Sequence, residues 1–112
     1  MVIDLLLEPV SPELVCGSDP EDYESDKALY EAFSQLKSKL DGEMKNGVKQ
    51  PPRWPDIQKE AFELAQSTKH LHLAVILTDC GLALEGFSGF CDGLRLIREW
   101  CERFWKDLYP RE

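Results

Sequence analysis

Two histidines, four cysteines and a glycine-bracketed corner are the residues of this 112-residue chain whose types could do chemistry. His70-x-His72 is the histidine cluster. On a helix, positions i and i+2 point in different directions, so the two imidazoles do not converge on one metal ion. Cys80 sits too far along the axis to complete such a site. The pair reads as surface or boundary histidines at a helix start, and no metal is expected. Gly86-Phe87-Ser88-Gly89 has the outline of a GxxG phosphate or nucleic-acid clamp, but lacks the strand of a P-loop and the basic patch of a KH loop. A packed helix corner explains it. Cys16, Cys91 and Ser88 are the possible nucleophiles, and no His–carboxylate partnership stands beside any of them. Asp19, Glu21 and Asp22 cluster where capping a helix is reason enough for them. No catalytic residue and no cofactor are expected.

The elements that would position these residues are helical. Val2, Ile3 and Leu5–Leu7 form an apolar N-terminal arm that wants burial on the core, and Pro9 and Pro12 end it. A first helix is expected from Asp19-Pro20, with Asp as cap and Pro in the first turn; alternatively Ser25 caps it and it starts later. Leu29, Phe33, Leu36 and Leu40 make its stripe, and Asp41-Gly42 ends it. Breakers fill 41–53, including Asn46-Gly47 and Pro51-Pro52, so this stretch is expected to be a mobile connection. A second helix begins near Trp54-Pro55-Asp56, with Ile57, Ala61, Leu64, Ala65 and Thr68 on one side.

The third helix, His70 to Glu85, is apolar nearly all round and belongs at the centre. Gly86 is its C-cap and Ser88 the N-cap of the fourth, with Phe87 and Phe90 stapling the corner. So short a turn makes the two helices antiparallel neighbours. The fourth runs from Ser88 to about Leu108. Phe90, Leu94, Ile97, Cys101, Phe104 and Leu108 fall within roughly ±40° of one line and form its expected core stripe. Leu96 and Trp100 lie beside that stripe. They either meet the first helix or the arm, or form an exposed patch. The fold class is therefore all-α: a compact bundle of about four main helices with an N-terminal arm.

Composition limits what such a bundle does. The net charge is −8. Residues 1–31 carry nine acids against one base, while 32–112 carry twelve of each, so all of the net charge belongs to the N-terminal part. An acidic chain repels phosphate backbones and anionic lipid, which argues against nucleic-acid and membrane-surface partners. No CxxC pair occurs, and three of the four cysteines fall inside helical patterns, so they imply a reducing compartment. No apolar run approaches the roughly 20 residues of a membrane span, and no signal peptide is evident; a cytoplasmic location is expected.

Several stretches resemble the ImpA N-terminal domain, which opens TssA-type proteins of the bacterial type VI secretion system. They are Leu6-Leu7-Glu8-Pro9-Val10-Ser11, Cys16-Gly17-Ser18-Asp19, Trp54, Thr68-Lys69-His70-Leu71-His72-Leu73-Ala74 through Leu77-Thr78, Glu85-Gly86-Phe87-Ser88-Gly89-Phe90-Cys91-Asp92-Gly93-Leu94 and Arg103-Phe104-Trp105-Lys106-Asp107-Leu108-Tyr109-Pro110. Residues 85–110 carry the most specific part, and 22–53 match poorly. Where this chain has His70 and His72, the family more often shows an acidic residue and an Arg, so an ion pair resting on that Arg would be lost here. The resemblance implies one non-enzymatic domain over 1–112, excised from or shortened relative to a longer protein. It implies protein partners in the baseplate, tail tube and sheath, with oligomerisation belonging to other regions of the full-length protein. Physics alone points to the Leu96/Trp100 edge, with Arg95 and Arg103, as the contact surface, because Trp and Arg dominate interface hot spots; the alternative is a self-associating helical module in which the same edge makes a homodimer.

Overall fold

The computed structural model describes residues 3–24, 26–40, 42 and 44–110. A 3-10 turn at Asp4–Leu7 is followed by α1 (Lys27–Leu40), a minimal hairpin of β1 (Met44–Lys45) and β2 (Val48–Lys49), α2 (Trp54–Ser67), α3 (Leu71–Glu85) and α4 (Phe87–Phe104). The fold is all-α, with four helices and the arm as expected. The centre is α3, which packs against α2 on one side and α4 on the other. It buries Leu73, Ala74, Ile76, Leu77, Thr78, Cys80 and Gly81.

The helix starts follow local chemistry. α1 begins at Lys27, the later of the two starts the sequence allows. The Leu29 N–H donates to Asp26 Oδ1 (3.1 Å), which caps it. Asp19 Oδ1 and Asp22 Oδ1 accept instead from the N–H groups of Glu21 (2.9 Å) and Glu24 (3.1 Å), so the acids before α1 close tight turns. Ser25 and Asp41, assigned to its start and end, lie outside the described residues, as does Val2 of the arm. α2 carries Pro55 in its first turn, where a missing N–H costs nothing. Segment 41–53 is not simply a mobile connection: Met44 pairs with Lys49 and Lys45 with Val48, and Asn46 (φ 53°) and Gly47 (φ 76°) make the turn between them. Asn-Gly is a strong two-residue hairpin signal, and it outweighs the breakers around it.

Gly86 (φ 68°, ψ −144°) ends α3 and starts α4 in a single residue. Its N–H donates to the Leu82 carbonyl (3.1 Å) and its carbonyl accepts from Phe90 N–H (3.0 Å). The capping role expected of Ser88 therefore falls to Gly86, and Ser88 lies inside α4. Phe87 is no staple, since its side chain is exposed.

α4 departs most from expectation. Its buried residues are Gly89, Gly93, Leu96, Trp100 and Phe104, not the Phe90–Leu94–Ile97–Cys101 line. The cause is the glycines. A Cβ on Gly81 would strike the Gly89 carbonyl, and a Cβ on Gly89 would strike that of Gly81; one on Gly93 would strike Thr78. α3 and α4 touch backbone to backbone along this line. That contact turns the glycine face inward and carries Leu96 and Trp100 with it. Phe104 and Leu108 are buried as expected, though α4 stops at Phe104.

Candidate protein-interaction site

The four residues expected at the contact edge separate into two pairs. Leu96 and Trp100 are both 0% exposed, so they are core and not an edge offered to a partner. The reason is the arm, which folds over them. Ile3, Leu6 and Leu7 are buried, and Trp100 Nε1–H donates to the Leu6 carbonyl at 2.7 Å. A buried indole N–H needs such an acceptor. Arg95 and Arg103 stay about half exposed at the border of the arm. Arg95 lies 3.7 Å from Asp4 Oδ1. Arg103 donates through Nε to Glu99 Oε2 (3.0 Å) and reaches the Leu7 carbonyl at 3.5 Å. Glu99 also accepts from Arg98 Nη2 (3.1 Å), and these hydrogen bonds, from Arg103 first and then Arg98, hold its carboxyl below the usual range.

Beneath the arm lies a buried polar seam that sequence reading did not find. The Lys69 N–H donates to the Cys16 carbonyl (2.8 Å), Tyr109 N–H to the Lys69 carbonyl (3.0 Å), and Leu71 N–H to the Tyr109 carbonyl (2.7 Å). Tyr109 Oη–H donates to the Gly17 carbonyl (2.9 Å) and Thr68 Oγ1–H to that of Ser18 (2.7 Å). Three distant stretches are thereby stitched together where α3 starts. Lys69 itself is 1% exposed. Its Nζ donates to the Ala65 carbonyl (2.9 Å) and lies 5.2 Å from the Trp100 ring centroid. Burial lowers its pKa from 10.5 to about 8, with Cys16 and Glu8 opposing. Nothing in its neighbours' types marked it as buried.

The histidines are not both surface bystanders. His70 is buried and caps α3, its Nδ1 accepting from the His72 N–H at 3.0 Å. That acceptor role leaves the proton of the neutral ring on Nε2, which faces Glu21 Oε1 at 2.5 Å. Burial lowers the His70 pKa, with the Glu21 hydrogen bond opposing. A second proton would also have to displace the cap. His72 is exposed on the first turn of α3. Among the described residues, no three His, Cys, Asp or Glu side chains group as metal ligands. Of the possible nucleophiles, Cys16 is buried, while Cys91 and Ser88 are exposed on α4. Burial pushes the Cys80 thiol up to about 12, which keeps it protonated.

Two grooves indent the surface. One of about 530 Å³, between Leu14, Asp19, Glu21, Asp22 and Tyr109, is acidic, but Asp19 and Asp22 also cap turns and Glu21 engages His70. The other, about 820 Å³ between Lys39, Arg53 and α2, mixes both signs of charge. A further uncovered feature is apolar: Phe87 (77% exposed) and Leu94 (47%) on α4 and Trp105 (73%) just past its end, with Val75 and Leu82 exposed on α3. Among the described residues, no helix is long and apolar enough to cross a membrane.

Comparison with known proteins gives a consistent result. The family described as ImpA, N-terminal, type VI secretion system matches residues 7–112. The chain is 34% identical over 110 residues to the type VI secretion system component TssA1 of Pseudomonas aeruginosa, an alignment covering 96% of this chain and 31% of that protein. A solved structure is similar over the whole chain, at TM-score 0.78 and 28% identity. It is described as the N-terminal domain including the conserved ImpA_N region of the TssA component of the type VI secretion system from Burkholderia cenocepacia. This chain spans 41% of it.

Proposed function

Because the chain belongs to the ImpA N-terminal family of the type VI secretion system, we propose that it is a non-enzymatic docking domain, cytoplasmic, of a TssA-like assembly protein. Its partners in this reading are proteins of the baseplate, tail tube and sheath, met while the contractile tail is built. The family match over residues 7–112 carries the proposal. The charge balance supports protein partners over nucleic acid, since the net −8 repels phosphate backbones.

The docking edge in this reading is the border of the arm, where Arg95 and Arg103 stand half exposed beside the exposed Leu5. Arg95 faces a partner more exposed than itself, so its ion pair contributes little to the fold, and the guanidinium is available to an outside carboxylate. Leu96 and Trp100 serve this edge from below by holding the arm in place. The test is a pull-down of purified baseplate, tube and sheath components with the wild-type chain and with Arg95→Glu/Arg103→Glu. Capture of at least one component by the wild type, lost in a double variant of unchanged helix content, is the expected result. Full retention by the double variant rejects the edge, and capture of no component by the wild type rejects the docking role.

A further inference from the structure

The flank of α4 that faces away from the arm carries a pattern that the fold covers only in part. Phe87, Phe90, Leu94, Ile97 and Cys101 recur at steps of three and four, and Trp105 continues the line just past the helix. A 3.5-residue apolar repeat is the seam by which one helix packs along another. Yet the residues of α4 that are fully buried are a different line, Gly89, Gly93, Leu96, Trp100 and Phe104, and of the repeat Ile97 and Cys101 pack only partly against the core. The repeat stays largely open among the described residues: Phe87, Leu94 and Trp105 are exposed, and Phe90, Ile97 and Cys101 half-buried. The arm reaches α4 on the other flank, at Arg95, Trp100 and Arg103. By the helical period, the exposed Val75 and Leu82 of α3 open onto the same side as the repeat, widening the apolar face.

We propose that this face is a self-association seam, on which the α4 helix of a second copy packs antiparallel. The sequence of the seam is complementary to itself. Antiparallel pairing about a two-fold axis between Leu94 and Ile97 sets each of these against the other, and sets the large Phe90 against the small Cys101. Such large-to-small apposition is what interdigitated packing requires. Charge does not oppose it. α4 carries three acids (Asp92, Glu99, Glu102) and three arginines (Arg95, Arg98, Arg103), whereas the net charge of the chain belongs to residues 1–31. In this register Arg98, flanking the seam, falls level with Gly93 of the second copy and not with a second Arg98. An isologous contact of this kind closes on itself as a dimer. α4 has 18 residues, so the seam is about 27 Å long, a small interface, and the dimer is expected to form in the micromolar range. The seam is separate from the arm-side edge, so a dimer would leave Arg95 and Arg103 free for other partners.

Sedimentation velocity of the wild-type chain from about 1 µM to about 1 mM, a range that brackets this affinity, tests the seam. The expected result is a monomer–dimer equilibrium that Leu94→Glu weakens at least tenfold and that Leu5→Glu, on the arm flank, leaves unchanged. Leu94 is about half exposed, so the variant is expected to keep its circular dichroism, which is checked alongside the sedimentation. A wild type monomeric throughout overturns the proposal, even if Leu94→Glu abolishes capture of a secretion component, which would assign the face to a different protein. A dimer that survives Leu94→Glu, or that Leu5→Glu breaks, also overturns it.

Discussion

The two flanks of α4 are nearly equal in apolar content and opposite in fate. On one, Leu96, Trp100 and Phe104 are closed off by α3 and the arm, and even the indole N–H is satisfied. On the other, Phe90, Leu94 and Ile97 have the cleaner helical periodicity and remain half open. Side-chain apolarity therefore does not decide which flank is inside. Gly81, Gly89 and Gly93 do, because along their line the backbones of α3 and α4 come into direct contact. The arm then completes the inner flank with Leu6 and Leu7. Among the described residues, none completes the outer one.

Truncation on each flank is the strongest way to break this contrast. Trp100→Ala removes a fully buried ring and leaves the Leu6 carbonyl without its donor, so a loss of about 3–5 kcal/mol is expected. Leu94→Ala, on the open flank, is expected to cost under about 1 kcal/mol in the monomer. Urea denaturation of both variants at low concentration measures the difference, and equal losses would erase the distinction between the flanks. Next in size is Gly89→Ala. In an unobstructed helix that change would stabilise by about 1 kcal/mol. Here the new methyl meets the Gly81 carbonyl, and a net loss of about 1–3 kcal/mol is expected from overpacking. A raised melting temperature would show that the backbones do not meet.

A gradual effect, read as a slope, sharpens the contrast through pH. Lys69 pins the inner flank from below, next to the Trp100 ring, and its pKa is lowered to about 8. Between about 8 and the ordinary 10.5, the unfolded chain holds a proton that the folded chain has released. Unfolding there takes up a proton, so stability rises with pH through that window, by at most about 1.4 kcal/mol per unit. Below it, the ammonium is charged in both states and its burial is a constant cost. Lys69→Met is expected to flatten the rise between pH 8 and 10 in denaturant titrations. Leu94→Ala is expected to leave it intact, since the open flank holds no such group.

Much of the fold was legible in the residues. The stripes of α1 and α2, the apolar circumference of α3, Gly86 at the corner and the apolar arm all stand where local pattern puts them, because each depends on near neighbours. The later start of α1 also followed local chemistry, through Asp26. The Asn46-Gly47 hairpin was written in the sequence and obscured by the breakers around it. Other features were not legible, because they depend on contacts far apart in the chain. Lys69 is buried because residues 16–18 and 109 converge on it. His70 is held by Glu21, across 49 positions.

The sequence by itself determined the helices, their order, the tight corner between α3 and α4, and the family to which the chain belongs. These follow from periodicity, capping and turn residues that act within a few positions, and from motifs that keep their spacing. Which flank of α4 faces inward was decided only in three dimensions. A hydrophobic wheel gives glycine no weight, whereas packing gives it most weight where two backbones meet. The rotation of α4 by a single residue position, which buries Trp100 and leaves Leu94 outside, follows from that contact.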